Sequence, residues 1–320
     1  MLRTWIGLLG VVLVLGGGPA SAQDYPNRPV RLIVPVAPGG ALDLIARAVG
    51  QKLTESLGQP VVVENRSGAA TVIGTDFAAK SPGDGYTLVL TATTHGMISA
   101  LNPKLPYDPV KDFTPITLIA TIPHVLVVNP SLPVGTLEEF VRLAKSRPGA
   151  MAYGSVGNGT PYHLAVELFK QMAGIDLVHV PYKGTGPATA DLVAGQIQFM
   201  SVDMTVATPH IKAGRLKPLA VATARRMPGL EVPTVAEAGY PGFEVSSWYA
   251  LSGPAGVPPA IVSRLHADTV KGLADPVLLE RFAGLGATIV GSTPAEYDAH
   301  LRSEIARWTR VVRAAKITAD

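Results

Sequence analysis

No cysteine occurs anywhere in the 320 residues. Disulfides, thiolate nucleophiles and cysteine metal sites are therefore excluded. Charge is scarce as well, at 16%, and aromatic residues make up 6%. Basic and acidic residues nearly balance, 27 Lys and Arg against 24 Asp and Glu. The pI near 9.0 looks basic, yet no nucleic-acid type block of Lys and Arg appears. The densest group, Arg302 to Arg313, follows a helical spacing with Leu301, Ile305, Trp308 and Val312 on another face. That pattern describes the solvated side of a docked terminal helix. Catalytic signatures are missing too. There is no P-loop, no G-x-G-x-x-G turn and no H-E-x-x-H. Gly154-Ser155-Val156-Gly157 falls short of a G-x-S-x-G elbow, and no base and orienting acid complete a triad. The seven histidines include no i,i+4 pair, so no metal site is expected. The chain is expected not to be an enzyme and to carry no cofactor.

One long apolar run is present, at the N-terminus. Arg3 is a short basic region, Ile6 to Leu15 an apolar core, and Ala20-Ser21-Ala22 an A-x-A cleavage site. The core is too short for a membrane span, which needs about 20 residues. Residues 1–22 therefore read as a signal peptide cleaved after Ala22, with export to the periplasm. The full sequence is 47% hydrophobic, enough for large cores. Its length suits two domains.

The most informative stretch is VPVAPGGALD at 34–43. It follows the apolar run Val30–Val34 and precedes a helical pattern from Leu42. A strand, a glycine turn and a helix start are expected. Gly39 and Gly40 allow backbone to approach a ligand. The first N–H groups of a helix lack intrahelical partners and carry the positive end of its dipole. Such a turn suits a carboxylate or phosphate; a plain βα turn that binds nothing is the bland alternative. Residues 151–163, MAYGSVGNGTPYH, repeat the pattern. Thr160 is expected to cap a helix with Pro161 at its first position. Two such turns facing each other can clamp one anion.

Strand and helix signals alternate throughout, which predicts an α/β architecture with mostly parallel sheets. Ile116–Val128, interrupted by Pro123, and Trp248–Ser252 are the strands expected to pass between domains. Domain 1 then comprises residues 23–122 plus 249–320, and domain 2 residues 123–248. Ligands in open α/β sheets bind beyond strand C-termini, which places the site in the interdomain cleft.

Many stretches carry a family resemblance. They include VPVAPGGALDLIAR, VVVENRSGA, SPGDGYTL, LPYDPVKDFTPITL, YGSVGNGTPYHLAVELF, HVPYKGTGPATADLVAGQ, PHIKAGRLKPLAV and VPTVAEAGYPGFE. Over essentially the whole mature chain, the sequence resembles the extracytoplasmic receptors of tripartite tricarboxylate transporters, the Bug family. The resemblance implies a two-domain type II periplasmic-binding-protein fold that closes on a small organic acid. It also implies delivery to membrane permease subunits. Carried over by position, it puts ligand contacts at Ala37, Pro38, Gly39, Gly40, Asn158, Gly159 and Thr160. Pro38 has no N–H and only shapes the turn. Relatives often have an aromatic residue at Val36 and a small or hydroxyl residue at Leu42, which tilts the expected ligand towards an acid with an apolar body. The family cleft position after the Gly195-Gln196 pair falls on either Asp203 or Val202.

Six further side chains complete the candidate set. Thr93 and His95 follow a strand end near the first turn. His163 lies near the second turn, and Lys183 is a candidate counter-ion. Asp43 is a cleft or supporting residue at a helix start. Asp203 is the sixth. No nucleic-acid partner is expected, and the chain is expected to be monomeric. Two other readings remain open: an exported α/β hydrolase, and a sensor that presents its ligand to a membrane histidine kinase.

Overall fold

The computed structural model describes residues 25–284 and 286–317. The proposed signal peptide lies outside the described residues. No described helix is long and apolar enough to cross a membrane.

Strand β1 (Val30–Val34) is a short β-branched run, buried at every position but Arg31. A strand buried on both faces belongs in a sheet interior. Accordingly β1 pairs in parallel with β2 (Val61–Asn65) and β3 (Thr87–Ala92). Helix α1 (Ala41–Leu57) connects β1 to β2, burying Leu42, Ile45, Val49, Leu53 and Leu57 at helical spacing. Gly58 ends it at φ +69°. Helix α2 (Val72–Ala79) leads into β3, and α3 (Thr93–Leu101) follows it directly.

Strand β4 (Phe113–Val128) runs 16 residues without a break. Residues 113–123 pair with β9 (Ser246–Pro254), residues 124–128 with β7 (Phe199–Asp203) and residues 125–128 with β8 (Lys217–Val221). One strand thus belongs to two half-sheets. The expected interruption at Pro123 is absent; Pro123 sits where β4 leaves β9 for β7, a point that tolerates a missing N–H. The chain crosses back beside it, where His124 N–H donates to Val245 O and Val245 N–H to Ala222 O.

The second half-sheet adds β5 (Ala152–Ser155) and β6 (Val178–Pro181). The full order is β2-β1-β3-β9-β4-β7-β5-β6, with β8 and the short β10 (Thr288–Ile289) also on β4. Helices α4 (Leu137–Ser146), α5 (Pro161–Ala173), α6 (Thr185–Val193) and α7 (Met204–Lys212) belong to this half. After β9 come α8 (Pro259–Leu273), α9 (Pro276–Gly284) and α10 (Pro294–Ala314).

The expectation of mostly parallel sheets needs correction. Pairings within each lobe, β1 with β2 and β3, and β5 with β6 and β7, are parallel. Every pairing of β4 and β9 is antiparallel. The strands that carry the chain across and back run in opposite directions, so βαβ geometry cannot apply to them.

The last helix ties the halves together. A full capping box, Thr293 with Glu296, starts α10. Its early residues Tyr297 and Leu301 pack with Leu118 and Trp248. Its late residues Trp308, Val311 and Val312 pack instead with Phe140, Leu164 and Phe199 of the second half. The Arg302, Arg310 and Arg313 side stays exposed, as the helical spacing predicts.

Candidate ligand-binding site

The first turn, Val36 to Gly40, follows β1 and opens α1. Ala37, Pro38, Gly39 and Gly40 are exposed, and a Cβ placed on Gly39 or Gly40 would meet nothing within 4 Å. Gly39 takes φ +98°, a region closed to most L-residues. Val36 is half-buried against the core and Leu42 fully within it, so neither supplies an apolar pocket wall.

Asp43 holds this turn in shape. Its carboxylate accepts from Gly39 N–H at 3.0 Å, Arg47 Nε at 3.0 Å and Asn65 Nδ2 at 2.9 Å. Asn65 also donates to Val36 O at 3.1 Å, tying the end of β2 to the turn. The Arg47 hydrogen bond leads in drawing the Asp43 carboxyl down to about 2, against the opposing effect of burial. The Gly39 N–H is therefore engaged by Asp43. Gly40, the N-cap of α1, makes no side-chain cap, so the first-turn N–H groups beyond it meet no capping side chain.

The second turn is built differently. Thr160 is the N-cap of α5 with Pro161 next, as the sequence suggests, but its side chain caps nothing. Its hydroxyl donates backwards to Gly157 O at 2.8 Å. Ser155 Oγ accepts from Gly157 N–H at 3.1 Å and lies 2.6 Å from His179 Nε2. Gly159 N–H donates to His163 Nδ1 at 3.0 Å, and His163 stacks on His179 at 3.9 Å. The two imidazoles and Ser155 form a floor beneath the turn. By contrast α4, α7 and α10 are each capped by a side chain, from Thr136, Asp203 and Thr293.

A cavity of about 200 Å³ joins the two halves. One wall is Ala70, Thr94, Ile98 and Leu101; the other is Asn158, Gly159 and Thr160. All stand just beyond the C-terminal ends of β2, β3 and β5, where open α/β sheets hold ligands. The halves touch here: a Cβ on Gly159, at φ +70°, would come within 2.4 Å of Leu101 Cδ1. Ala69, Ala70 and Thr71 have φ of +46°, +50° and +81°, left-handed values that cost energy for residues with a Cβ. Strain of this kind concentrates at binding sites, and Ala70 is a wall of this cavity. Residues 36–40 are not among the lining.

The remaining candidates have varied surroundings. Thr93 Oγ1 accepts from Trp248 N–H at 2.8 Å and is buried. His95 is buried beneath the 102–113 loop, with Nε2 2.9 Å from Pro109 O and its ring against Tyr107 and Phe113. Burial pushes it down to about 4, so it is neutral. Val202 is fully buried, whereas Asp203 accepts from Tyr162 Oη at 2.5 Å and Val206 N–H at 3.2 Å. Lys183 is exposed in the loop before α6, next to Tyr182, whose N–H donates to Ser155 O. Among the described residues, no group of three His, Asp or Glu could hold a metal ion.

Sequence reasoning missed Ala70, Thr94, Ile98 and Leu101. The spacing Met97, Ile98, Leu101 after Thr93-Thr94 was a helix signal, but it directly follows a strand and lacks a glycine turn.

The model of the tripartite tricarboxylate transporter family receptor matches residues 45–317. The chain belongs to this family. The receptor is 39% identical to BugT of Bordetella pertussis over 313 residues, 96% of either chain. Its fold matches R. palustris Rpa4515 with adipate at TM-score 0.81 and 38% identity, over 92% of this chain and 99% of that one. It also matches MatC (Rpa3494) from Rhodopseudomonas palustris with bound malate, at 0.78 and 34%, over 90% and 100%. The receptor is thus a solute-binding protein of a periplasmic family, with a two-domain α/β fold and a cleft between domains, and not an enzyme.

Proposed function

We propose that the receptor is exported to the periplasm, cleaved after Ala22, and captures a small carboxylate between its two domains. It then delivers the acid, as a monomer, to the permease subunits of a tripartite transporter. The domains divide near residues 122 and 249, with α10 strapped across both. The observation that carries this reading is the cavity of about 200 Å³ between the Ala70–Leu101 wall and the uncapped start of α5.

Backbone N–H groups at the start of α5, and those beyond Gly40, bind carboxylate oxygens. Asp43, Thr93, His95, His163 and Asp203 hold the surrounding backbone, and Lys183 attracts the ligand's distal charge. Ile98, Leu101 and Ala70 favour a short apolar body. Its burial contributes about 25 cal/mol per Å². The cavity is smaller than the 300–1,000 Å³ typical of drug-sized ligands, which favours a compact acid. Adipate and malate, named with two relatives, are both dicarboxylates.

A thermal-shift screen followed by calorimetry tests this, because a ligand stabilises by mass action. Adipate, succinate, malate, citrate, aspartate, benzoate and phthalate form the series. Saturable binding of at least one acid is expected, with apolar bodies favoured over hydroxylated or amino ones. Binding only of a sugar or a cation defeats the proposal. Loss of uptake of that acid in cells lacking the receptor tests the permease link.

A further inference from the structure

Outside the cleft, one cavity combines a half-buried cation with a buried nitrogen that has no partner. It measures about 370 Å³ and lies where the chain crosses between the half-sheets. Thr121 and Pro123 of β4 and Ser246 of β9 face His300, Glu304 and Arg307 of α10 across it. No residue lining it lines the 200 Å³ cavity.

His300 Nε2 is buried and makes no hydrogen bond. Its ring stands edge-on to Trp248 at 5.5 Å. Arg307 carries five N–H donors. Its guanidinium donates to Glu244 O and lies 3.6 Å from Glu304 Oε1. Loss of water pushes its pKa below the usual arginine range, despite Glu304 and Glu244 nearby. Glu304 is shared further, because its Oε2 accepts the indole N–H of Trp248 at 3.2 Å and of Trp308 at 2.9 Å. The Glu304 charge is thus distributed over three donors. Glu244, the other carboxylate on the wall, belongs to an exposed residue. Thr121, Ser246 and Thr288 add hydroxyl donors. Arg307 also borders a second hollow of about 520 Å³, where Arg310 and Gln171 add N–H groups.

A desolvated cation and a buried nitrogen without a partner both gain from an acceptor-rich ligand. We propose that this cavity is a second binding site, which takes a small oxyanion of phosphate, sulfate or carboxylate type on Arg307 and His300. Its walls include both strands that cross between the domains, so its shape follows the interdomain angle. Occupancy and cleft binding are then coupled, and the coupling is reciprocal.

Inorganic phosphate is the probe, titrated into the mature protein at constant ionic strength. The indole N–H resonances of Trp248 and Trp308, both bonded to Glu304, supply a local NMR readout. Saturable shifts of both are expected. Arg307→Gln and His300→Leu each weaken phosphate binding by at least about tenfold, the loss expected for a hydrogen bond to a charged group. Thr288→Val, on the cavity wall, serves if Arg307→Gln does not fold, and weakens binding less. Gly40→Val, at the cleft, leaves the titration unchanged. No saturable shift in the unmodified protein overturns the proposal. So does unaltered affinity in Arg307→Gln and His300→Leu, or loss of the titration in Gly40→Val, which assigns phosphate to the cleft.

Discussion

The two glycine turns share one local grammar, a strand, a glycine-rich bend and a helix start, yet the fold uses them in opposite ways. The first is exposed, and its conformation is held by side chains of its own domain, Asp43 and Asn65. The second rests on Ser155 and His163 and touches Leu101 across the cleft. A turn held only by its own domain is available when the domains are apart. A turn that meets the other domain is completed only when they come together. On the proposed reading, the first turn serves capture and the second serves closure, the order that hinge closure around a ligand follows.

The largest expected effect is at Gly159. Gly159→Val places a β-branched side chain at φ +70° and drives its Cβ into Leu101. Ligand affinity should fall at least about 100-fold, with roughly 2 kcal/mol of stability lost. Calorimetry and urea melts measure the two. Retained affinity would show that the second turn need not meet Leu101.

Gly40→Val sharpens the contrast. Its φ is not positive and its Cβ has open space, so stability should change by about 1 kcal/mol or less. Affinity should still fall at least about tenfold, because backbone approach is blocked. Equal affinity in calorimetry removes the first turn from the site.

Asp43→Asn weakens the clasp itself. About 2 kcal/mol should be lost, since a buried carboxylate with three donors is replaced by an amide that can satisfy only some of them. In the unmodified protein the same clasp resists acid. With its folded pKa of about 2 below the ordinary 3.8, its contribution is complete above the unfolded value and disappears as pH falls through about 2. An unchanged urea midpoint for Asp43→Asn contradicts the clasp.

Buried histidines lose stability in the same direction, but at higher pH and through burial instead of pairing. Burial lowers His95 and His124 from 6.5 to about 4. His124 is held neutral between Ser201 and Ser247 at the crossing. Above the unfolded value both states are neutral and stability is complete. As pH falls from 6.5 towards 4 the unfolded chain takes protons first, so stability drops. Between pH 7 and 5.5 the loss should be about 1 kcal/mol per histidine. Denaturant melts that do not change across that window argue against two buried neutral rings.

The smallest effect belongs to Lys183. It is exposed, so Lys183→Gln should leave the melting temperature unchanged. Affinity for a dicarboxylate should fall two- to three-fold, about what one solvent-exposed charge provides, and less so in high salt. A loss above about tenfold would place this lysine in direct contact with the ligand.

Much of this was legible along the chain. Val30–Val34 reads as a buried strand because every residue but Arg31 is β-branched or apolar, and it forms one. Arg302 to Arg313 reads as the solvated side of a terminal helix from its spacing, and α10 presents it so. Thr160 and Pro161 mark the start of α5, although the threonine hydroxyl turns back to Gly157 and leaves the helix uncapped. The chain did not reveal α3, since a helix that begins on the last residue of a strand has no turn to announce it. Nor did it reveal that His95 is buried beneath a loop, because position after a strand says nothing about what folds over it.

By itself the sequence determined most of the elements, the two glycine turns and the receptor family. Each depends on residue type and short-range spacing, which act through neighbours a few positions apart. Only the tertiary structure decided that β4 passes unbroken through Pro123 into a second sheet. It alone made the joining strands antiparallel, laid α10 across both domains and set Leu101 against Gly159. Those outcomes depend on contacts between residues far apart in the chain, such as Trp248 with Glu304. Their geometry exists only once both half-sheets are in place.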